Sequence, residues 1–449
     1  MLRLSYRLYR LVSWLRYTVP RRFTPAGILA LAAVATTGAV GMDVDQTVAF
    51  QGFALASCLL LVAMFSAPFF RGRFAAQRWL PRFGTVGQPL SYLVTVQNRN
   101  SRRLDHLELL ENLTDPRPNL ADYVTGQRDE IRSRSLRLGL TRTPPIDHRQ
   151  AITRPVPLPA LGPNGRGEAK VELLPLRRGP LRFNGLTVTR PDPFGWFRGF
   201  VRVPLPQTVL ILPKRYPLPA LVLPGTREYQ PGGVALAAAI GESEEFLSLR
   251  DYRPGDPMRH IHWRSWARTG RPIVREFEDE FLVRHALILD TFARAGQTAA
   301  FEEAVSIAAS FACTVNTQES LLDLLFVGPH AVCFTTGRGL GQAEQTLELL
   351  ASVRPCREQP FSALHSLVLR HTRVVCGCIA ILLAWDEPRR ELVQRLRGLG
   401  LPLLVVVVAE RREAEAIRRA AATQRVDRFH VLEVGKVAEG LQKLGGTDG

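Results

Sequence analysis

VRHALILD (Val283–Asp290) is the stretch on which the fold of this 449-residue chain turns. Its apolar residues run on without polar alternation and end in an acid. Such a run suits a strand buried on both faces, as in parallel sheets. Downstream the chain alternates between two textures. FEEAVSIAASFACTV (301–315) has helical periodicity and LLDLLFVG (321–328) is strand-like again. AVCFTT (331–336), GCIAILLAW (377–385), LPLLVVVV (401–408) and RFHVLEV (428–434) come next, with TLELLASV (346–353) and EPRRELVQRLRGL (387–399) between most of them. Continuous apolar strands separated by helices predict an α/β doubly wound, parallel sheet over residues 281–449.

One loop inside this region invites a phosphate: TTGRGLG (335–341) lies between a strand and a helix, where backbone amides bind anions. It lacks the full G-x-G-x-x-G, and ordinary turns before helices also use Gly, so no nucleotide cofactor is expected.

Upstream the texture changes. From Pro81 to about Leu223, Pro and Gly punctuate short alternating segments such as LSYLVTVQNRN (90–100), EAKVELLPL (168–176) and GLTVTRPDPFGWF (185–197). This predicts an all-β sandwich over residues 83–225, with Tyr92, Val94 and Val96 on one face of a strand and Leu93, Thr95 and Gln97 on the other. Arg177-Arg178-Gly179-Pro180 and Asp192-Pro193-Phe194-Gly195 read as turns, because Pro fixes φ and Gly supplies φ > 0. Residues 115–150 are polar and weakly patterned, as a long loop or insertion would be.

Two uncharged apolar runs, Ala26–Met42 and Thr47–Phe70, sit near the start. Their length and the short Asp43–Gln46 turn predict a transmembrane helical hairpin within residues 1–82. Arg3, Arg7, Arg10, Arg16, Arg21 and Arg22 precede the pair, and Arg71, Arg73, Arg78 and Arg82 come after it. By the positive-inside rule both termini face the cytoplasm, so a multi-pass protein of the cell (inner) membrane is expected, with the lipid bilayer as a partner. LRLSYRLYRLVSWLRY (2–17) spaces its leucines helically between arginines, as an amphipathic helix in the headgroup layer does.

Between the β-rich middle and the α/β region lies a block dense in charge, His and Trp: GESEEFLSLRDYRPGDPMRHIHWRSWARTGRPIVREFEDE (241–280). Asp256-Pro257 is a helix start, and Gly270 with Pro272 just beyond it a stop. The expected helix, MRHIHWRSWART (258–269), places Arg259, Trp263, Trp266 and Ala267 on one side. His260 and His262 tempt a metal reading. Residues two apart on a helix point about 200° apart, however, so no metal ion is expected between them. Plentiful acids and arginines, among them Glu242, Glu244, Glu245, Arg250, Asp251, Arg253, Arg275 and Glu276, favour interlocking Arg–carboxylate pairs.

This block resembles the signature of a bacterial family known as "domain of unknown function 58". The family pattern maps onto Glu245, Phe246, Leu249, Arg250, Tyr252, Gly255, Asp256, Arg259, Ile261, Trp263, Ala267 and Arg268. An arginine–glycine turn and a D-P-F-G turn precede the signature in that family, and both are present here. The C-terminal alternation looks like a von Willebrand factor A-like domain, which the resemblance also implies. In metal-binding domains of that kind D-x-S-x-S comes after the first strand. Here the stretch is Asp290-Thr291-Phe292-Ala293-Arg294, so Asp290 stands as a degenerate remnant and no metal site is expected.

Composition narrows the function. The net charge of +17 is nearly all arginine, since Lys170, Lys214, Lys436 and Lys443 are the only lysines. Arginine is spread along the chain and no zinc-finger or RNA motif occurs, so nucleic acid is not an expected partner. Six cysteines show no disulfide framework and read as reduced thiols. Neither G-x-S-x-G nor H-E-x-x-H is present. The expectation is a membrane-anchored cytoplasmic scaffold or adaptor, with Glu245, Phe246, Arg250, Tyr252, Gly255, Asp256, Arg259, Trp263 and Arg268 as its signature residues. The resemblance implies a MoxR-type AAA+ ATPase as the cytoplasmic partner. An enzyme with its site in the signature block is the alternative.

Overall fold

The computed structural model describes residues 2–40, 47–66, 70–114, 120, 149–219, 246–256, 258–277, 284–294, 297–315, 321–337, 340–423 and 428–445. The chain divides into two compact units. One comprises Met1–Lys214 with Leu350–Ser352; the other comprises Arg215–Leu349 with Val353–Gly449.

In the first unit, helices α1 (Leu2–Arg22), α2 (Pro25–Val40) and α3 (Thr47–Ser66) precede strands β1 (Phe74–Trp79), β2 (Phe83–Thr85), β3 (Leu90–Asn98), β4 (Leu107–Leu113), β5 (Ala151–Thr153), β6 (Val156–Leu158), β7 (Arg166–Pro175), β8 (Gly179–Pro191) and β9 (Arg198–Leu212). The strands form two sheets, ordered β1-β3-β7-β5 and β2-β9-β8-β4-β6. Period-two alternation sorts the side chains. On β3, Tyr92, Val94 and Val96 are buried, and with Leu173, Leu186 and Val188 they make the core. Burying each such side chain contributes about 1.5–3 kcal/mol. The first strand begins at Phe74, before the Pro81 boundary read from composition. Of residues 115–150, only 120, 149 and 150 are among those described.

The transmembrane hairpin is not upheld. Among the described residues no helix is long and apolar enough to cross a membrane. The 16 residues of α2 extend about 24 Å at 1.5 Å per residue, short of a hydrocarbon core of about 30 Å. The arginines that flank the apolar runs have other uses. Arg78 is buried on β1 and forms a 2.6 Å ion pair with Glu111. Arg21 donates to the Glu111 carbonyl, and at 2.9 Å to Asn112 Oδ1. Arg22 lies 4.2 Å from the centre of the Phe200 ring. Charge bias does not distinguish a cytoplasmic flank from an internal ion pair. The multi-pass, inner-membrane placement with cytoplasmic termini falls with the hairpin.

The D-P-F-G turn does more than reverse the chain. The Asp192 carboxylate accepts the N–H groups of Phe194, Trp196 and Phe197 at 3.1, 2.6 and 2.7 Å. The turn so fixed receives the junction of α1 and α2: Thr24 N–H donates to the Trp196 carbonyl at 3.1 Å, and Phe23 pairs edge-on with Phe197. A Cβ on Gly27 would lie 2.0 Å from the Trp196 oxygen, so only Gly permits this approach.

The second unit opens with β10 (Phe246–Asp251), a 3₁₀ turn (Met258–His260), α4 (Trp263–Thr269) and β11 (Ile273–Phe277). Then come β12 (Arg284–Leu289), α5 (Thr298–Val315), β13 (Leu321–Val327), β14 (Ala331–Thr336), α6 (Leu340–Ser352), α7 (Ser362–His371), β15 (Gly377–Leu382), α8 (Glu387–Gly398), β16 (Leu403–Ala409), α9 (Arg411–Thr423), β17 (Phe429–Glu433) and α10 (Val437–Gln442). Their six-stranded sheet is ordered β14-β13-β12-β15-β16-β17. All neighbours are parallel except β14, which runs antiparallel to β13. Three residues, Gly328 to His330, join those two strands, and a parallel crossover needs a dozen or more. Helices α7 and α8 pack on one face, where Ile288, Ala380, Val405 and Val407 meet Leu364 and Leu392. Helix α5 packs against the sheet as well, burying Phe301, Val305 and Phe311. All six cysteines are free thiols, and burial pushes the Cys378 thiol up to about 12.

Candidate functional site

The signature block folds as an antiparallel hairpin, with Asp251 opposite Ile273 and Arg250 opposite Val274. Its connecting segment is held by one carboxylate. Arg250 donates to Asp256 with both Nη atoms, at 2.7 and 2.8 Å, and Arg253 N–H adds a bond of 2.8 Å. Those bonds, the Arg250 guanidinium first, hold the Asp256 carboxyl at about 2, below its ordinary 3.8. Gly255 makes the bend possible with φ +109°.

Asp256 is therefore not the start of a helix over 258–269. Both its oxygens are taken by arginines, and a 3₁₀ turn covers Met258–His260 instead. Ile261 then runs extended, buried and bridged to Val274, before α4 begins at Trp263. The expected stop is present: Gly270 is left-handed at φ 71° and its N–H donates to the Trp266 carbonyl. Arg259 falls off the helix and donates to His260 Nε2 at 3.2 Å. His262 sits beside Ser265, with Nδ1 and Oγ 2.6 Å apart. Among the described residues no three His, Cys, Asp or Glu side chains cluster as a metal site.

Of the expected stripe, the two indoles meet on α4 without Arg259, and Trp266 is half-buried. Trp263 and Trp266 stack 5.2 Å apart with planes 18° from parallel, and Trp263 is 63% exposed. Leu249 and Met258 are exposed on the same segment, as are the side chains of Arg264 and Arg268. Tyr252 N–H donates to the Pro272 carbonyl and ties the hairpin mouth. Glu245 lies outside the described residues, as does the side chain of Phe246, so neither has a structural account. Glu242, Glu244, Pro257, Glu278, Asp279 and Glu280 lie outside them too.

A second cluster occupies the carboxyl ends of β12 and β15, where the strand order reverses and open α/β sheets bind ligands. Asp290 has no exposed surface. It accepts N–H groups from Phe292 and Leu383 at 2.9 and 3.0 Å, and Arg389 Nε at 2.6 Å. Arg389 also donates to Asp386 at 2.7 Å and to the Phe292 carbonyl at 3.1 Å, and stacks over Phe361. Burial opposes its charge, but Asp290 and Asp386 outweigh burial and hold the guanidinium above its ordinary pKa. Arg294, which ends the Asp290–Arg294 stretch, reaches Asp386 at 2.7 Å. Burial works against the Asp386 charge too, yet Arg389 and Arg294 keep that carboxyl below the usual range. The guanidinium of Arg389 thus neutralises Asp290 directly. Sequence reasoning missed it because four arginines share α8 and nothing local marks the one that turns inward.

The TTGRGLG loop lies partly outside the described residues, and the Thr335 hydroxyl donates to Asp323 at 2.7 Å.

Residues 248–397 match the family described as "Protein of unknown function DUF58". They take in most of the hairpin and the sheet as far as α8. The uncharacterized protein YeaD of Bacillus subtilis (strain 168) is 26% identical over 193 residues, covering 42% of this chain and 47% of that protein. The chain therefore spans about half the length of this curated relative. A cohesin module from a Clostridium perfringens ATCC13124 family 33 glycoside hydrolase matches 31% of the chain and 98% of itself, at 11% identity and a TM-score of 0.14. A GH20 exo-β-N-acetylglucosaminidase from Vibrio harveyi matches 75% of the chain and 57% of itself, at 9% identity and the same TM-score of 0.14. At those scores neither structure bears on fold or function.

Proposed function

We propose that the protein is a non-catalytic scaffold whose signature hairpin docks a partner protein, a MoxR-type AAA+ ATPase in the reading that the family resemblance implies. The Trp263–Trp266 stack on a clamped hairpin, with Trp263 exposed and Trp266 half-buried, carries the proposal. Large exposed apolar groups mark interaction surfaces, and Trp and Arg dominate the energy of such contacts. The Arg250–Asp256 clamp holds the pair ready, which lowers the entropy lost on binding. The α/β sheet, with its order β14-β13-β12-β15-β16-β17 and an Asp closing its first strand, supports a von Willebrand factor A-like reading of this unit. Its reversal point is closed by the Arg389–Asp290 pair, which argues against small-molecule chemistry there.

The test is binding of the purified full chain to the purified ATPase of the same organism, monitored by biolayer interferometry. Trp263→Ala with Trp266→Ala should weaken binding by at least about 2 kcal/mol, near thirtyfold, with the thermal midpoint kept. Unchanged affinity in that variant would remove the hairpin from the interface. No binding by the unaltered chain would remove the ATPase.

A further inference from the structure

Strand β17 is the last in its sheet, and its outer edge opens into a groove of about 690 Å³. Arg418 and Ala421 of α9 line the groove, as do Gly440 of α10 and the residues just outside that helix, Lys436 and Lys443. A Cβ on Gly440 would lie 2.4 Å from Leu432 Cδ2, so Gly lets α10 approach the strand closely.

The backbone has a definite polarity along this edge. Val405 N–H donates to the Arg428 carbonyl, and Val434 N–H to the Ala409 carbonyl. In a parallel ladder alternate residues face the same neighbour. Residues 428, 430, 432 and 434 therefore turn their backbone groups to β16, and Phe429, Val431 and Glu433 turn theirs outward. Two outward carbonyls are engaged: Val431 accepts from Arg418 at 3.5 Å and Glu433 from Lys436 N–H at 3.0 Å. The N–H groups of Val431 and Glu433 have no acceptor among the described residues. The edge thus offers donors in excess of acceptors.

The side chains have the matching sign. Arg418 pairs with Glu433 at 3.1 Å, while Lys436 and Lys443 are exposed with no carboxylate in ion-pair reach among the described residues. Among the described residues, Glu433 and Glu439 are the acids that line the groove, and Glu433 is already paired.

We infer that this groove receives an extended acidic segment of a partner protein, which adds a strand beside β17. Backbone carbonyls of the segment accept from Val431 and Glu433, and its carboxylates meet Lys436, Lys443 and Arg418. Main-chain pairing supplies affinity and the charges supply selection. The β17 edge is a different surface of the second unit from the tryptophan pair, so docking at either can fail alone.

The probe is a fluorescein-labelled peptide of alternating Glu and Thr, matched in length to the strand, with a Lys–Thr peptide as control. Binding to the full chain is read by anisotropy, and amide exchange is measured at Val431 and Glu433. The Glu–Thr peptide should saturate, the control should not, and both amides should exchange at least tenfold more slowly in the complex. Lys436→Glu with Lys443→Glu, both on exposed positions, should weaken the complex at least tenfold. Val431→Pro, which removes an outward donor, should do the same. Equal binding of the two peptides, indifference to the charge reversal, or unaltered exchange at Val431 and Glu433 would overturn the inference. So would sedimentation showing that the free chain dimerises through this edge and that Val431→Pro abolishes the dimer, since the occupant would then be a second copy.

Discussion

Arg389→Met removes the guanidinium that neutralises Asp290 while keeping most of the aliphatic stem. Asp290 has no exposed surface and the Arg389 side chain is 5% exposed, so water cannot replace the lost charge. The carboxylate keeps only the N–H groups of Phe292 and Leu383. Asp386 still holds Arg294 at 2.7 Å and adds little to the loss. Breaking a buried pair from one side costs about 3–5 kcal/mol. At about 1.4 kcal/mol per factor of ten, opening of the sheet rises roughly a hundredfold to a few thousandfold. Hydrogen exchange at Leu383 and along β15 reads this directly, because core amides exchange through that opening. Asp290→Asn on the Arg389→Met background should recover part of the loss, since the buried charge is then gone, with a coupling of about 0.5–3 kcal/mol. Exchange faster by less than about fivefold, or losses that simply add, would refute the reasoning.

The geometry sets three further outcomes. Asp256 is held at about 2, below its ordinary 3.8, so the hairpin clamp is intact above about pH 4 and fails as the pH drops through 2; carboxyl-carbon NMR should show that low titration, and Arg250→Ala should move it back up. Trp263→Ala should change stability by less than about 0.5 kcal/mol in a denaturant titration, because the side chain is 63% exposed. Phe183→Ala should cost the first unit about 3–5 kcal/mol, since that buried ring packs edge-on with Tyr92 and lies under the Arg78 guanidinium.

The strand and helix alternation of the second unit was legible because buried parallel strands and amphipathic helices differ in period. The direction of β14 was not: Gly328-Pro329-His330 looks like any turn until its length is weighed against a crossover. In the signature block, Asp256-Pro257 looked like a helix start, yet Arg250 sits six residues back, near enough to claim both carboxylate oxygens first. A local motif loses to a bidentate partner that pattern reading cannot rank. The arginines around the apolar helices failed as topology signals for a related reason. Arg21, Arg22 and Arg78 serve Glu111, Asn112 and Phe200, residues far along the chain that no flank rule consults.

Hydrogen–deuterium exchange of the full chain, with and without the AAA+ ATPase, tests docking by the signature hairpin most directly. Docking there predicts protection concentrated on Ile261–Gly270, with the loops around Asp290 and Arg389 unchanged. Protection confined to those loops, with the tryptophan segment exchanging as in the free chain, would contradict it.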